Sequence, residues 1–147
     1  MRILGIDYGD SRVGIAVTDS LGITAQGLET ISHKGNDKIL LKRLDEILEQ
    51  YPSEIIVVGM PYNMDGTKTI RAEVTTFGER VEITRKFIHK LKCKFNNIKI
   101  ETIDERLTTV AAHKTMNFLD INKTKKRGIV DTISAVYILE MYINKQK

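Results

Sequence analysis

Met1–Asp19, MRILGIDYGDSRVGIAVTD, is the stretch that decides the fold. An apolar run from Arg2 to Ile6 predicts a strand, with Asp7 at its end. Gly9 and Gly14 mark a glycine-rich turn, and Val13 to Thr18 predicts a second strand. An Asp placed where a strand emerges into a tight turn sits on a rigid element, with no long side chain beyond to shield it. That suits a metal ligand. It equally suits a turn in which the carboxylate accepts backbone N–H groups.

Outward from this hairpin, Thr24–Ile31 predicts a third strand, with Gly22 and Gly27 at turn or bulge positions, so the chain opens as an antiparallel meander. The period then changes. From Asn36 to Tyr51 the residues Ile39, Leu40, Leu44, Ile47, Leu48 and Tyr51 recur at helical spacing, and Pro52 and Ser53 close the helix. Glu54–Gly59 carries the β-branched run Ile55-Ile56-Val57-Val58, apolar to both sides as in a buried central strand. A loop through Asn63, Asp65 and Gly66 leads to a long helix over Thr67–Phe95, marked by Ile70, Val74, Phe77, Val81, Ile88 and Leu91. Ile98–Ile103 predicts a fifth strand, ending in Asp104-Glu105-Arg106. A helix over Leu107–Met116 follows, then a polar basic stretch, Asn117–Gly128, and a last helix over Ile129–Asn144.

Three antiparallel strands followed by helix, strand, helix, strand and helix predict an α/β fold. Crossovers between strands require parallel pairing with helices over the sheet, while the opening meander makes the sheet mixed. Five strands with the first in a central position form the RNase H-like arrangement. A chain of 147 residues with 41% hydrophobic content fits one such domain over 1–147. No apolar run reaches the roughly 18 to 20 residues needed to cross a membrane, and no signal-peptide layout precedes the first strand, so a cytoplasmic protein is expected. Its one cysteine, Cys93, excludes an internal disulfide and agrees with a reducing compartment. The net charge of +4 favours a polyanionic partner.

Acids gather at corresponding ends of the predicted elements. Asp7 ends the first strand, Asp104-Glu105 end the fifth, and Asp131 falls in the first turn of the last helix, inside the apolar and small-residue run Ile129–Ala135. A charge embedded there is costly unless paired, capped or metal-bound; the positive end of the helix dipole is the alternative account. A cluster of carboxylates repels itself unless cations neutralise it, and its natural occupants are Mg²⁺ or Mn²⁺. Two such ions roughly 4 Å apart activate water and stabilise the leaving oxygen in phosphodiester hydrolysis. That chemistry needs no His, Ser or Cys nucleophile. His33, His89 and His113 are scattered without ligand spacing and are expected as surface or packing residues, and Tyr8 is expected to shape the turn.

Four motifs, in order, carry a resemblance to a known family. They are Gly5-Ile6-Asp7-Tyr8-Gly9 with Arg12-Val13-Gly14-Ile15-Ala16; Gly59-Met60-Pro61 with Asn63-Met64-Asp65-Gly66; Asp104-Glu105-Arg106-Leu107-Thr108-Thr109; and Asp131 with Ala135. Over essentially its whole length the chain resembles the YqgF/RuvX family of RNase H-like nucleases, related to Holliday-junction resolvases and assigned in bacteria to pre-16S rRNA processing. The resemblance implies a Mg²⁺- or Mn²⁺-dependent nuclease with catalytic and metal-binding acids at Asp7, Glu105 and Asp131. Asp104 competes for the middle role, because consecutive strand residues face opposite ways. Members of the family usually carry two alanines after the last Asp; here the first is Ser134.

Lys123, Lys125, Lys126 and Arg127, just before the predicted last helix, are placed to hold phosphates without reading sequence, or to form a solvated loop. Arg12, Arg71 and Arg106 match family motif positions, and each either contacts nucleic acid or orients an acid. The expected partner is nucleic acid, either precursor rRNA or branched DNA, with no membrane and a monomer or homodimer as the assembly. Two other classes fit parts of the sequence. An ATP-binding phosphotransferase lobe shares the D-x-G hairpin, but this chain is too short for the second lobe such proteins need. A non-catalytic nucleic-acid-binding factor would keep the fold without the three acids.

Overall fold

The structure, a computed structural model, describes residues 1–9, 12–60, 72–104 and 123–145, with the backbone alone at 72–80, 104 and 123–131. Its elements follow in the order β1 (Ile3–Tyr8), β2 (Arg12–Thr18), β3 (Ala25–Ser32), α1 (Asp37–Gln50), β4 (Ile55–Met60), α2 (Ala72–Lys94), β5 (Lys99–Asp104) and α3 (Lys123–Lys145). They build one five-stranded sheet in the order β3-β2-β1-β4-β5. β1 is antiparallel to β2 and parallel to β4, β2 is antiparallel to β3, and β4 is parallel to β5. The expected mixed sheet with β1 at its centre is therefore present. The helix predicted over Leu107–Met116 lies outside the described residues.

Alternation along β1 feeds two cores. Leu4, Ile6 and Tyr8 join the cluster formed with α1 and α2, while Ile3 joins the cluster beneath α3. Gly5 shares the parity of Ile3. A Cβ there would stand 2.5 Å from Leu139 Cγ and 3.1 Å from the Ala135 carbonyl oxygen, so the missing side chain is what lets α3 lie close on the sheet. β4 is buried at every residue, as its doubly apolar run requires between two helical layers. Each fully buried Leu or Ile in these layers contributes about 1.5–3 kcal/mol.

Helix α1 starts where Asn36 accepts a hydrogen bond from the Lys38 N–H through its side chain, at 3.0 Å. Leu40, Leu44, Ile47 and Leu48 are buried as predicted, but Ile39 is 49% exposed, one helical step off the inward stripe. Arg43 ties α1 to β3 through a two-point contact with Glu29, Nε–Oε2 2.8 Å and Nη2–Oε1 2.6 Å. In α2 the predicted Ile88 and Leu91 are buried, Phe87 joins them fully, and Val81 is partly covered; Ile70, Val74 and Phe77 lie outside the described side chains. Gly22 takes a positive φ of 72° in the β2–β3 turn, and Gly27 flanks the register shift between Ile15 and Ala16.

Two boundaries differ from the sequence reading. β1 continues to Tyr8, which places Asp7 inside the paired strand instead of beyond it. α3 begins at Lys123 instead of Ile129, because Lys and Arg are good helix formers even without an apolar period. Lys125, Lys126 and Arg127 therefore belong to the helix backbone instead of a preceding loop. Asp131 moves to the third turn, where the dipole of the helix end no longer accounts for it, since that effect fades after the first turn. Among the described residues no helix is long and apolar enough to cross a membrane.

Candidate active-site edge

The C-terminal end of β1 carries Asp7, with Arg12 at the start of β2 and the backbone of α3 toward the same end. Asp7 is half-buried, held in register opposite Gly14 of β2, which in turn faces Thr30 of β3. The residue directly across from it in β2 is thus a glycine, which has no Cβ. At Gly9, just past the strand, a Cβ would fall 2.5 Å from the Arg12 carbonyl oxygen, so the chain can reverse this tightly only with glycine. Arg12 opens β2 at this same end, partly exposed.

Helix α3 crosses the same face. Leu139 and Ala135 lie over Gly5, and Ile3, Ala135, Leu139 and Tyr142 share one cluster, so the helix runs opposite to β1. Thr132 fixes its other flank: the hydroxyls of Thr132 and Thr30 are 3.4 Å apart, and Thr132 Cγ2 is where a Gly27 Cβ would fall, at 2.5 Å. Position 131 precedes by about one turn Ala135, the first residue of a buried stripe that continues through Ile138, Leu139 and Tyr142. Stepping from Leu139 to Ala135 to 131 follows β1 from Gly5 toward Asp7. The topology thus brings the backbone of Asp131 to the end of the sheet that carries Asp7. The helical start at Lys123–Arg127 extends past that same end.

β5 completes the row. Ile6 pairs with Val58, Gly59 with Ile103, and Met60 with Asp104, so the end of β5 lies level with Asp7 and Tyr8. Ile103 belongs to the α3 side of the sheet, whereas Ile100 and Thr102 belong to the side of α1 and α2, Thr102 lining a cleft with Ile88 and His89. Glu105, Arg71 and Arg106 lie outside the described residues. Among the described residues no three His, Cys, Asp or Glu side chains gather as a metal site, and of the expected acids only the side chain of Asp7 is described.

Sequence reasoning missed the support behind Asp7. His33 is fully buried, and its Nε2 donates to the Gly9 carbonyl at 2.8 Å. Tyr8 stacks between His33 and Phe87, with ring centroids 5.6 Å and 4.3 Å away, and its hydroxyl donates to Asp37 Oδ1 at 2.9 Å. The available signal was a polar aromatic closing β3 in phase with the buried Ile31, immediately before Lys34-Gly35. His89, by contrast, sits on α2 with its Nε2 3.7 Å from Sγ of the exposed Cys93. The titrations moved by their surroundings are elsewhere: the Ile23 N–H holds Asp19 below the usual carboxylate range, and Glu101 pushes Lys99 up.

A family model described as RuvX, Holliday junction resolvase, matches residues 1–145. A protein of Ruminiclostridium cellulolyticum named "Putative pre-16S rRNA nuclease" is 52% identical, covering 99% of this chain and 95% of that one. One of the same name from Acetivibrio thermocellus is 48% identical, covering 99% and 97%. Among solved structures, Thermus thermophilus RuvC in complex with a Holliday junction substrate superimposes with a TM-score of 0.56 at 13% identity, covering 99% of this chain and 96% of that one. The fowlpox virus resolvase in complex with Holliday junction DNA does so with 0.55 at 14% identity, covering 99% of each. At such identities these two structures establish the shared fold.

Proposed function

The chain belongs to the RuvX family, and from that premise we propose that it is a Mg²⁺- or Mn²⁺-dependent endonuclease trimming the 5′ end of precursor 16S rRNA in the cytoplasm. The observation that carries this reading is the convergence of Asp7 with the backbone of Asp131 at one end of β1, level with the end of β5. The donors proposed for the metal are Asp7, Glu105 and Asp131, an all-oxygen set that fits hard divalent cations. Asp7 supports the fit directly, being a half-buried carboxylate on a paired strand, facing a glycine.

Glu105 is preferred over Asp104 for the middle role. Ile103 lies on the α3 side of the sheet and Thr102 on the other; were the alternation to continue, Glu105 and not Asp104 would share the side of Ile103. When bound, the metal supplies activation of a water and charge neutralisation at the leaving oxygen. The chain's own residues do the rest. The sheet fixes the direction of the Asp7 carboxylate, α3 carries Asp131 over it, and Arg12, Arg71, Arg106, Lys125, Lys126 and Arg127 bind and orient the phosphate backbone without reading bases.

The deciding experiment compares a labelled precursor-rRNA 5′ segment with a synthetic four-way DNA junction, each with Mn²⁺, Mg²⁺ or EDTA, for wild type and Asp7→Asn. Metal-dependent cutting of the RNA alone, lost in Asp7→Asn with the fold intact, is the expected result. Paired symmetric cuts in the junction would move the assignment to branched DNA, the substrate named in the family's description. Metal-independent binding without cleavage would identify a non-catalytic nucleic-acid-binding factor.

A further inference from the structure

We propose that His33 is a positioning residue for the nuclease site, acting through the Gly9 carbonyl to hold the turn that follows Asp7. This rests on the nuclease reading above, but its geometry stands by itself.

The β1–β2 ladder ends at the pair Tyr8 and Val13, so Gly9 is the first residue of the turn without a ladder partner. It is also the residue with the greatest backbone freedom. The bond from His33 Nε2 to the Gly9 carbonyl, 2.8 Å, takes the place of the missing ladder rung. On the other side of the ring, Nδ1 accepts the Gly35 N–H at 3.2 Å. A carbonyl can only accept and an N–H can only donate, so the two contacts together fit a ring that carries a proton on Nε2, with Asp37 Oδ1 4.0 Å from Nδ1. The clamp is itself fixed by the turn 33–36, in which the His33 carbonyl accepts the Asn36 N–H at 2.8 Å while Lys34 and Gly35 take positive φ values of 48° and 80°. That pattern is a type I′ turn, and a lysine in its first central position carries a local strain that the surrounding contacts must hold.

Asp7 is thus followed by two anchored residues. Tyr8 is held by stacking on Phe87 and His33 and by its hydroxyl bond to Asp37, whose other oxygen meets Lys90 Nζ at 3.0 Å. Gly9 is held by His33. If His33 served packing alone, a phenylalanine or leucine would fill the fully enclosed place without the cost of burying a polar ring. What imidazole adds is a two-ended hydrogen bond joining the Asp7 turn to the β3–α1 connection. Such a link matters for chemistry because a misplacement of about 1 Å at a reacting group costs on the order of a hundredfold in rate.

The test uses the full chain, wild type, His33→Phe and His33→Gln; phenylalanine keeps the ring and loses both bonds, whereas glutamine can again donate to Gly9. Nitrogen NMR of the wild-type imidazole should show a proton on Nε2. Amide exchange at Gly9 and Arg12 should rise about tenfold in His33→Phe while that of Leu44 and Ile47 stays fixed, and return toward wild type in His33→Gln. Mn²⁺ affinity by calorimetry and kcat for cleavage should each fall about tenfold in His33→Phe with KM little changed, and recover in His33→Gln. A ring protonated on Nδ1 alone, or unchanged exchange at Gly9 and Arg12 in His33→Phe, overturns the proposal. Should His33→Phe fail to fold, wild-type Mn²⁺ affinity and kcat in His33→Leu, with no recovery needed from glutamine, would overturn it equally. If wild type cleaves nothing, the nuclease reading fails while the exchange and Mn²⁺ measurements still decide the role of His33.

Discussion

Leu139 sits directly over Gly5: a Cβ on Gly5 would stand 2.5 Å from Leu139 Cγ. Through this contact the central strand sets the height of α3, and hence the height of position 131 above Asp7. Gly5→Ala must push the helix away or force Leu139 off its rotamer, at a cost of about 1–3 kcal/mol. Its activity should fall further than its stability accounts for. Adding Leu139→Ala should return part of both, giving a coupling of about 0.5–3 kcal/mol in a double-mutant cycle by denaturant titration. Strictly additive losses would show that the two residues do not set the spacing.

Ser134 lies in the buried part of α3, next to Ala135. Its Oγ is buried and has no hydrogen-bond partner among the described residues. Removing a buried unpaired hydroxyl relieves about 1–3 kcal/mol of desolvation. Ser134→Ala is expected to raise Tm and to leave cleavage near wild type; a lowered Tm would reveal a partner for the hydroxyl.

Asp104 and Glu105 carry different roles in the proposed site. Glu105→Gln should abolish Mn²⁺ binding measured by calorimetry together with cleavage. Asp104→Asn should keep Mn²⁺ affinity within about threefold, less than 1 kcal/mol. The reverse result would exchange their roles.

Asp19 caps the turn at the opposite end of the sheet, accepting the Ile23 N–H at 2.8 Å and the Thr24 N–H at 3.4 Å. The first of these, chiefly, lowers its pKa below 3.8 in the folded state. A carboxylate with a depressed folded pKa stabilises the fold above its unfolded pKa and loses that contribution as pH falls through the folded value. Asp19→Asn should therefore be less stable than wild type at pH 7, and the gap should close on acidification through the carboxylate range. Thermal melts across that interval read the difference; a gap independent of pH would assign it to something other than charge.

The fold was legible where apolar period and punctuation agreed. The Gly-rich hairpin, the β-branched run at Ile55–Val58 and the Asn36 cap each specify an element through local chemistry, and the central position of β1 follows from their order. The start of α3 was not legible, because Lys123–Arg127 has no apolar face to reveal a period and Gly128 reads as a break, although a glycine inside a helix costs only about 1 kcal/mol. Of the proposed site, Asp7 and Asp131 stand out in the sequence as charges set in apolar surroundings. His33 could not, because its partners are the backbone of Gly9 and Gly35, and no side-chain pattern encodes a bond to a distant carbonyl.

The strands that hold Asp7 are all synthesised before α3, yet α3 carries Asp131 to them. During translation a nascent chain can pair β1 with β2 and β4 while its proposed metal centre still lacks one acid. On the proposed reading, that centre is complete only once α3 lies on the sheet.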